Sequence, residues 1–176
     1  MMLAKEKINK ADKAWIASLA KDVQKEFGIE APIEDMENVV RKLGGSIRRD
    51  NRATESVIMR DGDGFRIVLS PDPDEKKNRF AVAFQLGHLF LHMGYKTRRM
   101  LWEKQVDNAA YFTANEEKEN QAKEFALAFL MPAKKYGEAL KNLKNGDSVD
   151  VEKIAEYFGV TIAEVYARGR ELGCLE

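Results

Sequence analysis

The sequence predicts an α+β fold, mostly helical, with a small antiparallel three-stranded sheet and a C-terminal helical hairpin. Two observations carry this. Apolar residues recur at helical spacing near the start and through most of the second half, while the pattern changes to short strand-like runs between residues 46 and 69. Helices and strands therefore fall in segregated runs rather than in alternation. A length of 176 residues suits one domain with a small helical appendage. We place the main domain at 1–146 and the hairpin, packed on it, at 147–176.

The first helix is expected from about Ala11 to Phe27, where Trp15, Ile16, Leu19, Ala20, Val23 and Phe27 keep helical spacing and Gly28 follows. A second runs from about Ile33 to Leu43 and stops at Gly44-Gly45. Ser46–Arg48, Val57–Met59 and Phe65–Leu69 read as strands, the last two joined by the hairpin signal Asp61-Gly62-Asp63-Gly64. A long helix over 75–93 follows the turn at Ser70–Asp74. Thr113-Ala114-Asn115-Glu116 resembles a capping box opening a helix over 115–131, which Pro132 ends. The connection between these helices is irregular, with Trp102 and Tyr111 as anchors. Helices at about Val151–Phe158 and Thr161–Leu172 complete the chain.

Composition excludes several function classes. Lysine plus arginine and aspartate plus glutamate both number 29, so no global field recruits nucleic acid or an anionic membrane. The single cysteine, Cys174, forms neither an internal disulfide nor a zinc pattern. Residues Met1 to Lys10 lack the apolar centre of a leader, and no apolar run reaches membrane-spanning length. The expected compartment is the cytoplasm.

The segment Ala81–Tyr95 is apolar nearly all round, as in a buried central helix. Its strongly polar side chains are Gln85, His88 and His92, spaced i+3 and then i+4, so all three share one stripe. A polar stripe on a buried helix demands a polar partner or a cavity. The 115–131 helix offers one, because Glu119 lies at the upstream end of its buried face, ahead of Ala122, Phe125, Ala126, Phe129 and Leu130. A carboxylate there needs a cation or a donor. Spacing alone leaves two readings open, a hydrogen-bonded core histidine and a metal or ligand site.

Arg79 through His92 resembles the site helix of ImmA/IrrE-type metallopeptidases, a family that reads His-Glu-Leu-Gly-His where this chain has Phe84-Gln85-Leu86-Gly87-His88. A second block, Glu119 to Ala126 and on through Leu130-Met131-Pro132, is similar to the family's other hallmark, whose leading glutamate is the third zinc ligand. The ending Ile154–Val160 is similar to prophage-type members. The resemblance covers roughly residues 30–175 and implies a minimal zincin-like fold. In the family, two histidines one turn apart and a downstream carboxylate hold zinc. The glutamate after the first histidine is the general base.

This chain departs from that pattern. Phe84 stands for the first ligand histidine and has no lone pair. Gln85 stands for the base, and an amide takes no proton near neutral pH. Lys123 stands where the family commonly has asparagine. His88 and Glu119 match the remaining metal ligands. His92 could pair with His88, but that would slide a metal by about 5.4 Å, one helical turn. Natural degeneration accounts for adjacent Phe84 and Gln85 better than deliberate inactivation does.

The resemblance implies an added-strand groove for substrate beside the site helix. Phe65, Ile67 and Leu69 are the expected groove residues, as an edge strand, with His92; the alternative is a plain core strand. In the tail, Ala155, Gly159 and Val165 fit helix-turn-helix spacing, and Arg168 and Arg170 could reach DNA. Acids outnumber bases over 148–176, which disfavours direct nucleic-acid binding.

The function expected is that of a pseudoenzyme, a degenerate metallopeptidase-fold regulator. It would bind a protein partner such as a prophage or mobile-element repressor, with no cofactor. The alternative is an active zinc peptidase cleaving a repressor through His88, Glu119 and a third ligand from His92 or Glu116. A toxin-type or DNA-associated role is a third, with no residue arguing for it directly.

Overall fold

The computed structural model describes residues 10–176. Apart from Lys10, the stretch read above for a leader lies outside them. The elements run α1 (Lys10–Phe27), α2 (Met36–Leu43), β1 (Gly45–Arg49), β2 (Val57–Asp61), β3 (Gly64–Leu69), α3 (Glu75–His88), α4 (Arg99–Glu103), α5 (Glu116–Leu130), α6 (Ala133–Asn142), β4 (Lys144–Asn145), β5 (Ser148–Val149), α7 (Val151–Phe158) and α8 (Ile162–Leu172). The mostly helical α+β class holds.

The helices start where short polar side chains accept from the first turn. Asp35, Asp74, Asn115 and Asp150 each cap an N-terminus. Thr161 and Glu164 form a reciprocal capping box at α8. The box expected at Thr113 does not form. Asn115 is the cap of α5, and the Thr113 hydroxyl accepts from the Asn115 amide at 3.1 Å.

The sheet is mixed rather than antiparallel. Its order is β1-β3-β2, with β1 parallel to β3 and β2 antiparallel to it. The β2–β3 hairpin turns at Gly62, whose φ of 61° suits a two-residue primed turn. β1 has no tight turn to follow and enters on the far side of β3. The expectation of an edge strand at Phe65–Leu69 is therefore overturned. β3 is central, and Phe65, Ile67 and Leu69 alternate into the core with almost no exposure.

α3 packs on the sheet and against α5, whose other side carries α1. The core follows that stack through Ile16, Ala20, Val40, Leu43, Ile67, Leu86, Phe125 and Phe129. Trp15, although it keeps the helical spacing of its apolar neighbours, is exposed. α6 was not expected, although Tyr136, Ala139, Leu140 and Leu143 keep helical spacing. The C-terminal pair turns at Gly159, and α8 docks on α5 and α6. The Tyr136 hydroxyl donates to Val165 O (2.7 Å), and Arg168 Nε donates to Met131 O (2.9 Å). Arg168 is 2% exposed, so it does not reach toward DNA.

Candidate functional site

α3 does not end at His88 but widens into one π-turn, Leu89–Met93, closed by Gly94 in a left-handed conformation. Single π-turns inside helices recur at functional sites. The close crossing of α3 and α5 is set by Gly87. A Cβ there would lie 2.7 Å from Ala122 O and 2.9 Å from its Cα. That crossing places His88 opposite Glu119, with His88 Nε2 and Glu119 Oε1 3.2 Å apart.

A line of hydrogen bonds runs from this contact into α5. His88 Nδ1 meets His92 Nδ1 at 2.9 Å, and His92 Nε2 meets Gln121 Oε1 at 2.9 Å. Gln121 Nε2 donates to Glu117 Oε1 at 3.2 Å. These contacts assign the protons. Gln121 spends its N–H on a carboxylate, so its oxygen accepts from His92 Nε2–H. His92 Nδ1 is then a lone pair accepting from His88 Nδ1–H, and a neutral His88 has no proton left for Nε2.

Both histidines are neutral at pH 7. Burial pushes His88 down to about 4, helped by the neighbouring His92 and Lys118. Burial does the same to His92, also to about 4, against the opposing hydrogen bond to Gln121. Glu119 is pushed above the usual carboxylate range by burial and by Glu55. The His88–Glu119 contact is therefore not an ion pair, because burial keeps His88 uncharged at pH 7.

Phe84 stands edge-on to His88, ring centres 4.9 Å apart at 87°. Gln85 is buried and faces the sheet, where its Nε2 donates to Ser56 O at 2.8 Å. A carboxylate in its place would set oxygen against oxygen. The outer edge of β2 is closed by the chain itself. Ile58 O accepts from Tyr111 N (2.7 Å) and Arg60 O from Asn108 N (2.8 Å), continuing the series begun by Ser56 O. An incoming strand finds these carbonyls already bonded.

What remains open is a cleft of about 320 Å³ lined by Glu55, Phe84, His88, Tyr111, Phe112 and Glu119, among others. Of the residues expected at the site, Phe84, Gln85, His88 and Glu119 meet here. His92 lies behind His88, and Phe65, Ile67 and Leu69 lie in the core. Sequence reading missed Glu55, Ser56 and Phe112 as lining residues, and missed Gln121 as the partner of His92. The i, i+4 pair Glu117–Gln121 was the available signal for the last.

The residues present do not fit a catalytic zinc ion. His88 Nε2 and Glu119 supply two ligands, the Phe84 ring lies beside His88 with no lone pair, and His92 Nδ1 is engaged by His88. Among the described residues, no group of three histidines, cysteines or acids is placed to hold a metal. Glu116 does not complete one.

A helix presenting a histidine to the carboxylate of a second helix, beside a three-stranded sheet, defines the framework of a small metallopeptidase-like domain. Residues 41–169 match the model of the IrrE N-terminal-like domain, Peptidase_M78, and the chain belongs to that family. A solved Mycobacterium tuberculosis transcriptional regulator shares the fold, with a TM-score of 0.52 and 15% identity. The match covers 91% of this chain and 47% of that one, so the chain spans about half the regulator's length. No curated protein matches by sequence. No helix among the described residues is long and apolar enough to cross a membrane.

Proposed function

We propose that this chain is a non-catalytic, regulatory member of its family that binds a protein partner, such as a prophage or mobile-element repressor of the helix-turn-helix type, at the cleft between α3 and α5. The observation that carries the reading is the pair at the start of the motif. Phe84 packs against His88 where a ligand would stand, and Gln85 holds the sheet edge through an amide proton that a glutamate base lacks. Hydrolysis needs a metal-bound water and a base, and neither has its residue here. The fold shared with a transcriptional regulator supports a regulatory setting.

The test is purified protein incubated with zinc and a helix-turn-helix repressor encoded beside it. The expected outcome is a stable complex with the repressor intact. Repressor cleavage that disappears in Gln85→Ala or His88→Ala protein would overturn the reading.

A further inference from the structure

The cleft between α3 and α5 presents acceptors and aromatic rings but no cation. His88 Nε2 is an acceptor, as the hydrogen-bond line through His92, Gln121 and Glu117 requires, and it faces a second acceptor, Glu119 Oε1, at 3.2 Å. His88 is 3% exposed, and its ring lines the cleft beside Glu119. Glu55 adds a second carboxylate to the lining, which contains no lysine or arginine. Lys118 acts on both histidines through space but does not line the cleft. Phe84, Tyr111 and Phe112 supply aromatic surface, and Phe112 is 66% exposed. Two carboxylates and three aromatic rings around a facing pair of acceptors, with no cation in the lining, make a receptor for an organic cation.

We propose that the cleft receives one arginine side chain presented by the protein partner, its guanidinium donating to both His88 Nε2 and Glu119 and lying against the aromatic lining. This deepens the regulatory reading and rests on it. Arginine fits better than lysine, because a planar fork of donors serves two neighbouring acceptors at once, whereas an ammonium is a compact, strongly hydrated point charge. The cleft volume, about 320 Å³, is at the small end for ligand sites, which suits one side chain. The partner would enter end-on, since the β2 edge is closed to an added strand.

The experiment is an NMR titration of the full chain, with histidine rings labelled by ¹⁵N, against the capped amides N-acetylargininamide, N-acetyllysinamide and N-acetylalaninamide. The arginine probe is expected to saturate with Kd on the order of 1 mM and to shift His88 Nε2, as a small polar ligand would. The lysine probe should bind several-fold more weakly, and the alanine probe should give no response. Glu119→Gln should weaken arginine binding about tenfold through loss of the charge-assisted bonds. Phe112→Ala, on the exposed rim where the fold is not at risk, should weaken it about threefold.

An equal response to all three probes, or an arginine response unchanged in both variants, overturns the proposal. Stoichiometric zinc that binds His88 and excludes the arginine probe overturns it as well. A parallel peptidase assay separates the two readings. No arginine binding without hydrolysis defeats the receptor alone, whereas hydrolysis defeats the non-catalytic reading beneath it.

Discussion

Among the described residues, the polar cluster under the C-terminal helix and the one at the cleft end differently. Under the C-terminal helix, Arg168 donates to Met131 O and pairs with Glu171 at 3.0 Å, while Lys13 pairs with Glu124 at 3.1 Å. Two cations meet two carboxylates, and the cluster ties α1, α5 and α8 together. Its one loose end is Glu124 Oε2, which has no partner while Glu171 is ionised. A protonated Glu171 supplies the donor. Burial and the hydrogen bond to Glu124 push Glu171 up to about 7. The cleft cluster is buried at His88 and His92 but opens outward at Glu119, and there His88 Nε2 faces another acceptor. Buried polarity alone does not mark a site, whereas an end that the fold leaves unmatched does.

The largest effect should come from breaking the matched cluster. Arg168→Met leaves Glu171 and Met131 O buried without their cation and should cost about 3–5 kcal/mol in urea unfolding. A loss below about 1 kcal/mol would show that this cluster is no more structural than the cleft.

The pH responses of the two regions should oppose each other. The folded pKa of Glu171 is raised, so its contribution is fully present below about pH 4.5 and is lost as pH rises through about 7. His88 and His92 are lowered to about 4, so the unfolded chain takes up protons first and stability falls as pH drops from 6.5 toward 4. Each arm should be on the order of 2 kcal/mol. Thermal unfolding of Glu171→Gln across pH 4–8 should lose the alkaline arm and keep the acid one. Loss of both arms together would mean that the clusters are coupled.

Gln85→Glu should destabilise by about 1–2 kcal/mol by facing Ser56 O with a second acceptor. It should bring no peptide hydrolysis in zinc, because Phe84 remains. Calorimetry and a fluorogenic peptide assay would check both halves. Thr161→Ala, away from either cluster, should cost about 1 kcal/mol through the lost cap. Urea unfolding would check it, and a loss above about 2 kcal/mol would show that this side chain does more than close the first turn of α8.

The sequence shows some of this plainly. Gly62 demands a tight turn between two strands, and the stripe Gln85, His88, His92 requires a polar neighbour, which α5 provides. Other features depend on tertiary contacts that local pattern does not carry. β1 and β2 are both short strands, and only packing decides which lies parallel to β3. That choice made Phe65, Ile67 and Leu69 core instead of groove. The direction of the Gln85 amide, toward Ser56 rather than into the cleft, is likewise invisible along the chain, because 29 residues separate the two. α6 is a different kind of miss, since Tyr136, Ala139, Leu140 and Leu143 announce it locally behind a proline that reads as a stop.

The crossing at Gly87 has a further bearing. The separation of α3 and α5 there is fixed by main chain against main chain, Gly87 on Ala122, and not by the side chains that face the cleft. The gauge of the site is thus independent of its contents. Residues 84 and 85 can drift from ligand and base to ring and amide without shifting His88 relative to Glu119. Drift in the other direction is equally open to the scaffold. Under the reading proposed above, such a framework would let side-chain changes alone replace hydrolysis by recognition.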